Sequence, residues 1–132
     1  MGRALLEQIW NMNGEKGLKI HPEGSVSVLA GKSVFLPPKS WTRVFLPYKI
    51  HIEGGVTVLC GLSRPGLIAG LSVTKGGQIR MNIWYSNPKV MQLTPKMILV
   101  NIFGAEVSVK YLGKEIEDEK KEIELCSDST ES

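Results

Sequence analysis

The hydrophobic positions of this chain recur at every second residue. In QIRMNIWY (78–85), Ile79, Met81, Ile83 and Tyr85 share one parity, and Arg80, Asn82 and Trp84 share the other. That alternation predicts a strand with one apolar face and one polar, aromatic face. GLSVTKGG runs into it through Gly76-Gly77, which predicts a hairpin. SVSVLAGKSVFLPP (25–38) carries a turn at Gly31-Lys32 and a stop at Pro37-Pro38. In WTRVFLPYKIHIEGGVTVLCGL (41–62), Ile50 and Ile52 flank His51 and a turn falls at Gly54-Gly55. Val56 and Val58 then alternate with Thr57 and Leu59. KMILVNIFGAEVSVKYL (96–112) ends with Val107, Val109 and Tyr111 alternating with Ser108 and Lys110. Short β-branched runs between regularly spaced turn signals predict an all-β sandwich or barrel.

Two stretches suit a helix better. Leu5, Leu6 and Ile9 fall together over residues 2–10, which predicts one or two amphipathic turns. From Lys114 to Leu125 the charges allow a helix, although Ile116 and Ile123 make a sparse apolar stripe. The final SDSTES has the composition of a segment without fixed structure. The expected organisation is a β domain over 1–113 followed by an acidic tail, partly helical or disordered, over 114–132.

Composition narrows the class. At 132 residues, 42% hydrophobic and 22% charged, the chain suits one globular domain with a core of its own. No apolar run reaches bilayer length, and MGRALLEQIW lacks both a signal-peptide core and the serine or threonine of a myristoylation site. A cytoplasmic or nuclear protein without membrane attachment is the expectation, with Cys60 and Cys126 as reduced thiols.

Charge is distributed unevenly. Residues 1–113 hold 13 Lys/Arg against five acids, whereas residues 114–132 hold three lysines against eight acids. A basic body with an acidic tail fits nucleic-acid affinity modulated by the tail, or a solvated body with a solubilising tail.

Most catalytic constellations are excluded by what is missing. The aspartates are Asp118 and Asp128 alone, both in the tail. A Ser-His-Asp arrangement in the body would therefore need a glutamate as its acid. His21 and His51 stand apart with no partner at ligand spacing, so no metal and no cofactor is expected. No glycine-rich phosphate loop opens a helix. Glu53 and Glu106 are the carboxylates left to act as a base in a divergent nucleotide hydrolase. Trp41, Trp84 and Tyr85 beside Arg43 and Arg80 are candidate nucleic-acid contacts by stacking and phosphate pairing. The same aromatics also suit packing across a sheet or between subunits.

The order of these pieces resembles the trimeric dUTPase family over about Ser25 to Val107. SVSVLA (25–30) is similar to that family's first-motif strand, and VFLPP (34–38) to its Pro-Pro strand end. WTRVFLPYKIHIEGG is similar to the strand leading into its glycine turn. Ser63-Arg64-Pro65-Gly66-Leu67 resembles its phosphate-binding loop, GGQIRMNIWYSN its Asn-ended strand, and Lys96–Phe103 its closing strand. The resemblance implies a jelly-roll or β-barrel assembled as a homotrimer.

It also implies lost chemistry. The family's metal-linked aspartate falls on Ser27, its phosphate-binding serine on Pro65, and its phosphate-contacting glutamine on Asn101. The hairpin carrying the water-activating aspartate is missing, and the glycine-rich closing arm is replaced by the acidic tail. Arg64, Gly66 and Asn101 are then remnants of a phosphate site. The implied function is a catalytically inactive dUTPase-like protein acting as a protein-interaction or regulatory module with a partner not identified by the sequence. Viral proteins derived from this fold bind host signalling proteins in that way. The alternatives are a nucleotide or nucleic-acid binding module using the basic body, and a divergent dUTP pyrophosphatase.

Overall fold

The computed structural model describes residues 2–10, 16–112 and 116–118. Twelve strands follow in order: β1 Gly2–Gln8, β2 Leu18–Ile20, β3 Val26–Leu29, β4 Val34–Leu36, β5 Ser40–Glu53, β6 Thr57–Cys60, β7 Leu67–Val73, β8 Gln78–Tyr85, β9 Met91–Leu93, β10 Ile98–Phe103, β11 Ala105–Lys110 and β12 Ile116–Asp118. No helix occurs among the described residues, so the all-β expectation holds. None of these elements can cross a membrane as a helix.

The strands form three sheets. A six-stranded sheet runs β12-β11-β1-β5-β8-β7, a four-stranded sheet runs β2-β3-β10-β6, and β4 pairs with β9. The sheets keep open edges and close into no barrel, which corrects the barrel form of the expectation. One apolar core takes side chains from all three, including Leu6, Leu36, Leu46, Met81, Leu93 and Ile102, each essentially without solvent exposure. Burying one such side chain contributes roughly 1.5–3 kcal/mol, so the core rather than strand propensity sets the faces.

β8 behaves as its alternation predicts. Ile79, Met81, Ile83 and Tyr85 point into the core, and the residues between them face out. The β7–β8 hairpin turns at Gly76-Gly77, closed by Thr74 N to Gln78 O at 2.9 Å and Gly77 N to Thr74 O at 2.9 Å. β5 is long enough to meet both β8 and β1. Its register against β8 shifts between Phe45 and Lys49, where Pro47 has no N–H to give the ladder. Gln78 bridges that irregularity by donating Nε2 to the Leu46 carbonyl at 3.1 Å.

The expected helical turn over residues 2–10 is a strand instead. Ala4, Leu6 and Gln8 alternate inward along β1, which lies parallel to β11 and antiparallel to β5. Leu5, Leu6 and Ile9 have helical spacing, but two neighbouring strands supply a ladder on both sides of the segment, and tertiary pairing overrides local preference. Gly2 allows this entry: a Cβ there would lie 2.5 Å from the Gly55 carbonyl oxygen and 2.6 Å from Val56 Cγ2. The helix expected over 114–125 is also corrected where it is described. Ile116–Asp118 pairs antiparallel with Ser108–Lys110, which extends the large sheet past residue 113. The rest of that stretch and SDSTES lie outside the described residues.

Candidate functional site

The residues singled out from the sequence fall into three places. Asn101 lies on β10 directly opposite Ser27 on β3. Their sequence neighbours Val26, Val28, Val100 and Ile102 fill the core, so Ser27 and Asn101 point to the other side of the four-stranded sheet. Ser27 is nevertheless without exposure. Its hydroxyl donates to Asn101 Oδ1 at 2.6 Å and meets His21 Nε2 at 2.7 Å. With the amide oxygen of Asn101 facing Ser27, the single hydroxyl proton is committed to it, and His21 takes the donor role toward Ser27. A histidine that donates to a serine cannot also act as its base. The line holds a buried hydroxyl between two half-buried neutral partners, with no carboxylate in it.

Ser25 lies two residues before Ser27, just ahead of β3, and donates to Glu23 Oε1 at 2.6 Å. That bond and a backbone hydrogen bond hold the Glu23 carboxyl below the usual carboxylate range. Among the described residues no group of three or more His, Cys, Asp or Glu comes together. Ser27 and Asn101 offer two neutral oxygens already engaged with each other, so these residues do not fit the divalent ion used in dUTPase chemistry.

Arg64 and Gly66 lie in the loop between β6 and β7, with no hydrogen bond to Asn101. Arg64 is exposed, and its Nη1 donates to the Ser63 carbonyl at 2.9 Å. Gly66 has φ +76, and a Cβ there would meet the Asn87 amide at 2.6 Å. The Gly66 carbonyl accepts from the Ser86 N–H at 2.8 Å and Oγ at 3.0 Å, while Asn87 Nδ2 donates to the Pro65 carbonyl at 3.2 Å. The glycine is thus required by a turn that clasps the loop to the end of β8. Arg64 and Gly66 hydrogen-bond within their own loop and to the end of β8, whereas Asn101 bonds to Ser27.

Trp41, Arg43, Arg80 and Trp84 do come together. They stand on the outer face of β5 and β8, opposite the core, and β7 continues that face. Cross-strand register arranges it in rows. Trp41, Trp84 and Ile68 form the first row, Arg43, Asn82 and Gly70 the second, and Phe45, Arg80 and Ser72 the third. Trp41 and Ile68 are each 66% exposed, and Phe45 is 40% exposed. The two indoles meet at 5.6 Å between centroids with planes tilted by 47°, a favourable aromatic geometry. Gly70 adds no bulk, and nothing lies within 4 Å of where its Cβ would be.

The two arginines are held by neutral partners. Arg43 Nε donates to Asn82 Oδ1 at 3.1 Å and Arg80 Nε to Ser72 Oγ at 2.9 Å. Among the described residues neither has an acidic partner, so each keeps its full charge with Nη groups left to donate. Trp41, Thr42, Arg43 and Asn82 line an open depression of about 560 Å³. Asn82, Ser72, Ile68 and Phe45 were not singled out by sequence. The parity of each strand carried that signal, but the register that aligns the strands did not appear in it.

No protein-family model matches the chain, and no curated protein is similar to it.

Proposed function

We propose that this chain is a non-catalytic, regulatory binding protein on a dUTPase-like jelly-roll frame, assembled as a homotrimer. The observation that carries the non-catalytic reading is the closure of Ser27 on Asn101 at 2.6 Å. These are the positions where the resemblance expects a metal-holding carboxylate and a phosphate-binding glutamine. Ser27, without solvent exposure, engages the half-buried Asn101. Triphosphate cleavage needs a base within reach of water and dense positive charge around the phosphates. Here, among the described residues, the exposed Arg64 has no other residue of the remnant phosphate site hydrogen-bonded to it, and Glu106 lies against Arg3 at 3.9 Å between β11 and β1. Support for the frame comes from the order of elements: Val34–Leu36 before Pro37-Pro38, the long β5 into a glycine turn, the Arg64–Leu67 loop, and the closing β10.

Two measurements test this. Melting with and without dUTP and Mg²⁺, run beside a pyrophosphate-release assay, is expected to show no stabilisation and no turnover. A ligand that binds the native state raises Tm by mass action, so a clear shift with turnover overturns the reading. Light scattering at micromolar concentration is expected to give the mass of three chains, and a monomer removes the trimer alone. Of the partners such a protein could regulate by binding, an unidentified protein or a nucleic acid, the acid-free aromatic face favours the second.

A further inference from the structure

We infer that the outer face of β5, β8 and β7 binds single-stranded nucleic acid, with bases stacking on Trp41 and phosphates paired to Arg43 and Arg80. This rests on the reading of the chain as a binding protein, and not on its likeness to dUTPases.

Charge argues first. From Gly24 to Ala105 the chain carries nine Lys/Arg and one acid, Glu53. All three strands of the face come from that span, and none of the nine residues in its rows is acidic. Glu7 and Glu106 lie 3.9 Å from Lys110 and Arg3, on β1 and β11, where they neutralise other cations. A second copy of the chain docked face to face would set arginine against arginine with no carboxylate between them. An ordinary apolar protein partner would bury two charges without compensation, at several kcal/mol per ion. A polynucleotide supplies a phosphate for each arginine and a π-face for each indole.

Geometry argues second. Successive rows on one face are two residues apart, about 6.7 Å, so Trp41 and Phe45 bracket about 13 Å along β5. The row between them holds Arg43 on Asn82, and Gly70 leaves the β7 end of that row open for a base. Asn82 and Ser72 fix the arginines at Nε, which leaves their Nη groups pre-set at the surface. A face that orders its donors before binding loses less entropy on binding. Strands bearing exposed aromatics and cations read unpaired bases, whose faces a duplex hides.

The test is fluorescence anisotropy of labelled oligothymidylate and oligouridylate with the full chain, at low and at physiological salt, beside a duplex of equal length. Single strands are expected to bind, more weakly as salt rises. Trp41→Ala is expected to weaken binding about five- to 150-fold, and Trp41→Phe to restore most of it. Arg43→Gln should weaken binding and lower the salt slope by about one. Lys19→Ala and Lys96→Ala, in a separate lysine-lined depression, should leave it unchanged. Melting of the exposed-face variants well above the assay temperature excludes unfolding as the cause.

Absence of binding at low salt overturns the inference, as does duplex binding equal to single-strand binding. So does a loss that follows Lys19 and Lys96 instead of Trp41. Dissociation of an oligomer by Trp41→Ala would assign the face to a second copy and equally overturn it. Oligonucleotide binding by a protein that also hydrolyses dUTP sinks the non-catalytic reading and leaves this one. A protein inert to both does the reverse.

Discussion

Two outer faces of the same molecule treat their polar groups in opposite ways. On the four-stranded sheet, His21 and Asn101 turn a ring nitrogen and an amide oxygen onto the buried Ser27 hydroxyl, which is fully engaged between them. On the six-stranded sheet, Arg43 and Arg80 give up one donor each and keep the rest beside exposed indole. Both faces carry residue types that appear in active sites. What separates them is whether the groups are spent, and spent groups contribute to stability where unspent ones are available to a ligand. Substitutions on the first should therefore be felt in folding, and substitutions on the second in binding.

The core beneath both faces sets the upper end of the scale. Met81 lies on β8 between Arg80 and Asn82 and is fully buried. Met81→Ala is expected to lower stability by about 2–5 kcal/mol, read by urea denaturation. A loss below about 1 kcal/mol would mean that β8 does not divide its residues between core and surface as described. Next comes the polar line through Ser27. Ser27→Ala strands the Asn101 amide oxygen and the His21 ring nitrogen and should cost about 1–3 kcal/mol. An unchanged denaturation midpoint would show that water replaces the hydroxyl, and with it that the line is open.

How far the sequence disclosed this arrangement differs between the two faces. Parity along β8 placed Ile79, Met81, Ile83 and Tyr85 inside and Arg80, Asn82 and Trp84 outside, because a period of two is a local property of one strand. Gly76-Gly77 marked its hairpin for the same reason. β1 was not legible, since its strand character comes from β5 and β11, about 40–50 and about 100 residues further along in the ladder pairs of Gly2–Gln8. Trp41 and Trp84 were both visible as candidates, yet their direct pairing depends on the register of β5 against β8, a relation between strands about 40 residues apart. Ser27 and Asn101 were visible only as altered positions of a resembling family. That they bond to each other across 74 residues is a fact of the β3–β10 ladder.

The open face should matter less in folding than the core. Trp41→Ala removes a side chain that is 66% exposed but paired with Trp84, so stability should fall by about 0.5–1 kcal/mol, while oligonucleotide affinity falls as argued above. The contrast with Ser27→Ala is the sharpest form of the comparison: a small hydroxyl that matters to the fold at least as much as a large indole. A Trp41→Ala loss of 2 kcal/mol or more would be as large as a core truncation and would move the indole from the ligand surface to the core.

The smallest effect concerns the acidic end of the chain. Residues 119–132 hold five acids and two lysines, so ending the chain after Asp118 raises its net charge from +3 to +6. A polyanion is attracted more strongly to the truncated protein. Anisotropy is expected to show tighter oligonucleotide binding by the shortened chain at low salt. The gain should shrink as the screening length falls to about 8 Å at physiological salt. The gain should also depend on the arginines, so combining the truncation with Arg43→Gln should reduce it. A gain that survives that substitution in full would show that the acidic segment lowers affinity through net charge alone, without reference to the face.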